Sequence, residues 1–197
     1  MFNERMKITA ENESMLYIKM AIKNVDFALI SIDRILNTHD IDYRVYQDRH
    51  TFYFYYIQNL LAACGNISNI FNSPIGFSSG SVRRISPRER SKALREICNL
   101  NPKDFPLIFM REARNTNMHF DERYDEYDRR IGDYNIIDES TPYDEREAIL
   151  NTPHLRTYNK QDQVYITIGR RGERIEYSFM QLRQELNRLK QLFNAAI

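Results

Sequence analysis

Tryptophan is absent from the 197 residues, cysteine occurs twice and histidine four times. Cys64 and Cys98 are too few for a disulfide framework or a Cys-rich zinc site. The histidines are His39, His50, His119 and His154, and no two have the spacing of a helical metal pair or an HExxH motif. The dipeptide His39-Asp40 lacks the upstream histidine that a metal phosphohydrolase needs. No GxSxG elbow, Walker loop or GxGxxG fingerprint occurs. The sequence therefore predicts no metal and no cofactor. No run approaches the roughly 20 apolar residues of a membrane span. The first ten residues, MFNERMKITA, carry Glu4 and Arg5 without an apolar stretch, so no signal peptide is expected. These absences predict a soluble, cytoplasmic chain with no membrane partner.

What is present suits a packed globule. Hydrophobic residues make up 42% and charged residues 28%, which argues against wholesale disorder. A chain this long buries roughly 70% of its unfolded surface, so folding requires neither disulfide nor metal. Thirteen tyrosines and eleven phenylalanines supply large interlocking core positions. The net charge is +1, which by itself does not announce a nucleic-acid partner. Charge is concentrated, however, in RRISPRERSKALR, residues 83–95, where six basic side chains face one acidic one. Arg83, Arg84 and Arg88 are the candidate RNA-backbone contacts of that cluster.

Hydrophobic periodicity gives the architecture. From about Glu11 to Asn37, Met15, Ile18, Ile22, Val25, Leu29, Ile32 and Leu36 recur at helical steps. A second long helix is predicted from Asp42 to Asn72, with Phe52, Tyr56, Leu60, Cys64, Ile67 and Phe71 on its apolar stripe. Residues 72–81 form a loop broken by Pro74, Gly76 and Gly80. Ser86, Pro87 and Glu89 fit a capping box that opens a helix to about Leu100. Another helix is expected from about Phe105 to Arg130, closed by Gly132. A short helix follows to about Leu150, then extended segments at 155–159 and 163–168. GRRG at 169–172 turns the chain into 173–178, giving a hairpin whose alternating apolar residues are Val164, Ile166 and Ile168. Ser178 and Gln181 then open a terminal helix bearing Phe179, Leu182, Leu186, Leu189 and Phe193. The expectation is one mainly α unit over 1–197. It has a helical core at 1–132, a β-containing insertion at 133–178 and a C-terminal helix at 179–197.

The segment with chemical content is REARNTNMHFDERYD, residues 111–125. Three histidines follow an arginine by four to six positions: Arg34 with His39, Arg44 with His50, and Arg114 with His119. Only in the last is the arginine followed by a polar residue, Asn115; the others are followed by Ile35 and Val45. The resulting R-N-x-x-x-H pattern, in a helix of a helical bundle, resembles the HEPN superfamily. That resemblance implies a HEPN-like helical bundle and a metal-independent endoribonuclease of toxin or defence type, working as a homodimer. It also implies a composite site with Arg114, Asn115 and His119 as catalytic residues, and an antitoxin or other regulatory protein as a further partner.

The spacing has a physical consequence of its own. Asn115 and His119 are four apart and share a helical face with Arg111, a further candidate RNA contact. Arg114 and His119 lie about 7.5 Å apart along the axis and about 140° around it, so they straddle that face. One such helix makes a poor site, whereas two related by a two-fold axis place paired Arg, Asn and His groups around one cleft. Metal-free RNA cleavage needs a base for the 2′-hydroxyl, an acid for the departing 5′-oxygen and positive charge for the phosphorane. Imidazole, with an unperturbed pKa of about 6.5, suits the proton transfers. Guanidinium suits the phosphate.

Two features depart from the resemblance. Asp121 stands where the toxin branch commonly has a tyrosine two residues after the histidine, and the β-containing segment lies outside the minimal bundle. The alternative expectation is a catalytically inert helical module of the same fold that binds a nucleotide or a partner protein.

Overall fold

A computed structural model describes residues 2–37, 49–73, 86–110, 115, 138–139, 156–169 and 173–197. Among these the chain is mainly helical, with a small sheet before the C-terminal helix. The α-helices are α1 (Phe2–Leu36), α2 (Arg49–Phe71), α3 (Pro87–Ile97), the single turn α4 (Pro106–Phe109) and α5 (Phe179–Ala195). The strands are β1 (Asp138–Glu139), β2 (Arg156–Asn159), β3 (Val164–Ile168) and β4 (Arg174–Ser178). The predicted short helix ending near Leu150, and most of the helix expected from Phe105 to Arg130 beyond Met110, lie outside the described residues.

Helix α2 is the central element. Phe52, Ile57, Leu60, Cys64, Ile67 and Phe71 are buried along it, and α1 and α3 pack against its sides. On α1 the buried ridge is Ile18, Ala21, Val25, Ala28, Ile32 and Ile35. This corrects the stripe read from the sequence, because Met15, Ile22, Leu29 and Leu36 are only half-buried at its margins. Two alanines at the centre of the ridge let the helix axes approach closely, a role that ranking by hydrophobicity does not reveal. Helix α1 also begins nine residues before Glu11, at Phe2.

The caps follow their chemistry. Ser86 Oγ accepts from the Glu89 N–H at 3.2 Å, and the Glu89 carboxylate accepts in return from the Ser86 N–H at 3.0 Å. The Ser86 hydroxyl, which also donates to the Glu89 carboxylate at 2.7 Å, and the Ser86 N–H hold the Glu89 carboxyl below its ordinary value. Helix α3 ends at Ile97, three residues before the expected Leu100, because Asn99 adopts a left-handed backbone with φ 47°. The Leu100 N–H then reaches the Arg95 carbonyl and the Asn99 N–H the Glu96 carbonyl, closing a Schellman motif. At the far end, Ser178 Oγ accepts from the Gln181 N–H and opens α5, whose Phe179, Leu182, Leu186, Leu189 and Phe193 are all fully buried.

The sheet has the order β1-β2-β3-β4, with β2–β3 and β3–β4 antiparallel and β1 parallel to β2. The register places Tyr158 opposite Tyr165 and Tyr165 opposite Tyr177, so one face carries a cross-strand row of three buried tyrosines. Tyr158 meets Tyr53 of α2 and Phe179 of α5, with ring centroids 5.0 and 5.4 Å away. This row, rather than Val164 and Ile166, faces the helices. Tyrosine has the larger apolar body, and the Tyr177 hydroxyl reaches backbone carbonyls at the edge of the core.

Candidate functional site

The helix expected from Phe105 to Arg130 is not continuous. Asn101 caps a 3-10 turn over Pro102–Asp104, and Phe105 leaves helical geometry before α4 begins at Pro106. Helix α4 lasts one turn and stops at Met110, whose backbone is extended (φ −68°, ψ 118°). Pro106 is compatible with a helix start but lacks the N–H that would continue a helix from the preceding turn. The break lies immediately before the R-N-x-x-x-H segment.

Two buried polar side chains fix this junction, and the sequence reading singled out neither. Glu185 of α5 is buried, and its Oε1 and Oε2 accept from the backbone N–H groups of Leu107 and Ile108 at 3.3 and 3.2 Å. These are donors that the first turn of any helix leaves unsatisfied, and a carboxylate there also meets the positive end of the peptide dipoles. Burial pushes the Glu185 carboxyl up from its ordinary value, against the two N–H donors and Arg188, which pull it down. From the sheet, the Tyr177 hydroxyl donates toward the carbonyls of Leu107 and Met110 at 2.9 and 3.1 Å. One end of α4 is therefore held by α5 and the other by β4. A faint signal for Glu185 exists in the sequence: it is a charged residue on the apolar stripe of α5, between Leu182 and Leu189.

Of the candidate catalytic residues, Asn115 lies in helical backbone and is half-buried. Arg114, His119 and the candidate RNA contacts Arg111, Arg83 and Arg84 lie outside the described residues. Arg88 is exposed on the first turn of α3. The rest of the basic cluster is divided. Arg90 lies over the Tyr17 ring, 4.5 Å from its centroid, and donates to the Tyr17 hydroxyl at 3.2 Å. Arg95 donates to the Phe71 carbonyl at the end of α2. These two guanidinium groups tie α3 to α1 and α2, so the cluster offers less cationic surface than its composition implies.

The cysteines sit in apolar surroundings. Burial, with a smaller contribution from the nearby Glu185 carboxylate, pushes the Cys64 thiol up to about 12. Burial pushes Cys98 up to about 11. Both are protonated near neutrality, the form with little nucleophilic or metal-binding capacity. Among the described residues no group of three or more His, Cys, Asp or Glu side chains could hold a metal ion. None of their helices is long and apolar enough to cross a membrane. No family model, characterised protein or solved structure matches the chain.

Proposed function

We propose that this chain is a metal-independent endoribonuclease of toxin or defence type, acting as a homodimer through a composite Arg/Asn/His site. The observation that carries this reading is the Arg114-Asn115-x-x-x-His119 spacing, with its resemblance to the HEPN signature. A mainly helical frame and helical backbone at Asn115 are compatible with it. In this mechanism Arg114 from each protomer neutralises the scissile phosphate as charge builds on the phosphorane. One His119 draws the proton from the 2′-hydroxyl, and the other returns a proton to the 5′-oxygen. Asn115 hydrogen-bonds the phosphate or orients the imidazole. Arg83, Arg84, Arg88 and Arg111 hold the RNA backbone.

The test is incubation of the purified protein with transfer RNA in the presence of EDTA. The reading expects cleavage that leaves 2′,3′-cyclic phosphate ends and is abolished in His119→Ala with unchanged helical circular dichroism. Uncut RNA, or cutting that survives in His119→Ala, rejects it and favours the inert binding module.

A further inference from the structure

Four of the eight large apolar side chains left exposed among the described residues belong to α1: Leu16, Met20, Phe27 and Ile30, each between 45 and 58% exposed. They are not scattered. Together with the exposed charged residues Glu13, Lys23 and Arg34 they recur at alternating steps of three and four, from 13 through 16, 20, 23, 27 and 30 to 34. This is the 3.5-residue period of a helix seam built to face another helix, on the side opposite the buried ridge. Beside it runs a groove of about 400 Å³ between α1 and α2, walled by Phe27, Ile30 and Tyr55 and floored in part by Ala62 and Ala63. A contiguous exposed apolar strip of this kind marks an interaction surface.

The charges select the partner. Two copies of this stripe laid parallel would stack Glu13 on Glu13, Lys23 on Lys23 and Arg34 on Arg34, three layers of like charge. Reversing one copy about an axis near residue 25 sets Arg34 level with the partner's Leu16 and leaves Glu13 about 4.5 Å along the axis from the partner's Arg34, within reach of that long side chain, at both ends. In the seam register this sets Met20 against the partner's Ile30 and Lys23 against the ring of the partner's Phe27, a favourable cation–π arrangement. Arg34 has a contact within its own chain, and the five donors of a guanidinium leave room for a carboxylate as well. The geometry points to a second copy of this chain as the occupant of the α1 stripe, packed antiparallel about a two-fold axis near residue 25. Such an interface is isologous, so each favourable contact occurs twice. The small residues on the groove floor admit the partner's side chains beside α2.

Pairing through α1 requires no ribonuclease activity, so the two readings fail separately. Sedimentation velocity of the full chain across the micromolar range should show a monomer–dimer equilibrium. Phe27→Glu or Ile30→Glu should raise the dissociation constant at least tenfold with unchanged circular dichroism, because both side chains are more than half exposed. Glu13→Arg and Arg34→Glu should each weaken the dimer several-fold, and the double variant should restore it, which only the antiparallel arrangement allows. A strict monomer, a dimer indifferent to Phe27→Glu, or a double reversal as weak as the single ones would overturn the α1 interface. A dimer that behaves as expected but leaves RNA uncut keeps this interface and removes the ribonuclease reading.

Discussion

The Tyr177 hydroxyl stands 3.1 Å from the carbonyl of Met110, a residue 67 positions earlier in the chain. Met110 is where α4 ends, four residues before Arg114 in the sequence, so the last strand of the sheet helps fix the end of that helix. Tyr177→Phe keeps the ring and removes only the hydroxyl. It should lower stability by about 1–2 kcal/mol, the usual cost of stranding a buried carbonyl. A urea titration measures this. If the ribonuclease reading holds, turnover should fall more than RNA affinity; a variant as stable as the parent would show that the contact contributes nothing.

Glu185 gives a pH dependence. Its carboxyl is raised above the ordinary value of 4.5, so the folded chain holds that proton more tightly than the unfolded chain does. The resulting contribution to stability is complete below the ordinary value and fades as pH climbs through the raised one. Urea midpoints measured from acid to neutral pH should therefore decline across that interval, and Glu185→Gln should flatten the decline. An equal slope in both proteins would assign the titration to another group.

The basic helix separates into two kinds of arginine. Arg95→Gln removes a charged donor from the Phe71 carbonyl and should cost about 1.5 kcal/mol in a urea titration. It should leave the salt dependence of RNA binding unchanged. Arg83→Glu combined with Arg84→Glu should do the converse, weakening RNA binding and making its salt dependence shallower. If Arg95→Gln changes the salt slope as much as the double variant, the division fails.

The two thiols should resist chemistry in the folded state. With Cys64 near 12 and Cys98 near 11, almost no thiolate exists at neutral pH, and both are buried. A thiol-specific reagent should modify neither until denaturant is added, and then both. Rapid reaction of either cysteine in the native protein would contradict the packing described around α2 and α3.

Much of the local structure was legible because its causes are local. The Ser86–Glu89 box, the Ser178 cap and the five buried positions of α5 each follow from spacing within about four residues. Ranking side chains by hydrophobicity put Met15, Ile22, Leu29 and Leu36 on the α1 stripe and missed Ala21 and Ala28, whose value lies in shape rather than in transfer free energy. The break at Met110 was hidden because residues 105–130 satisfy helical periodicity on paper. The bounds of α4 involve a carboxylate from α5 on its first-turn N–H groups and a hydroxyl from β4 on the carbonyls of Leu107 and Met110.

The sequence by itself determined the helical character, the small sheet before the last helix, the caps and the presence of the Arg114-Asn115-x-x-x-His119 spacing. These depend on backbone propensities and on neighbours a turn away. Tertiary structure alone decided that Arg90 and Arg95 brace α3 and that Glu185 and Tyr177 clamp α4. It also decided that one seam of α1 is left uncovered. Each of these is set by which surfaces meet after the chain has folded back on itself, and a polar group's role depends on the partner brought to it.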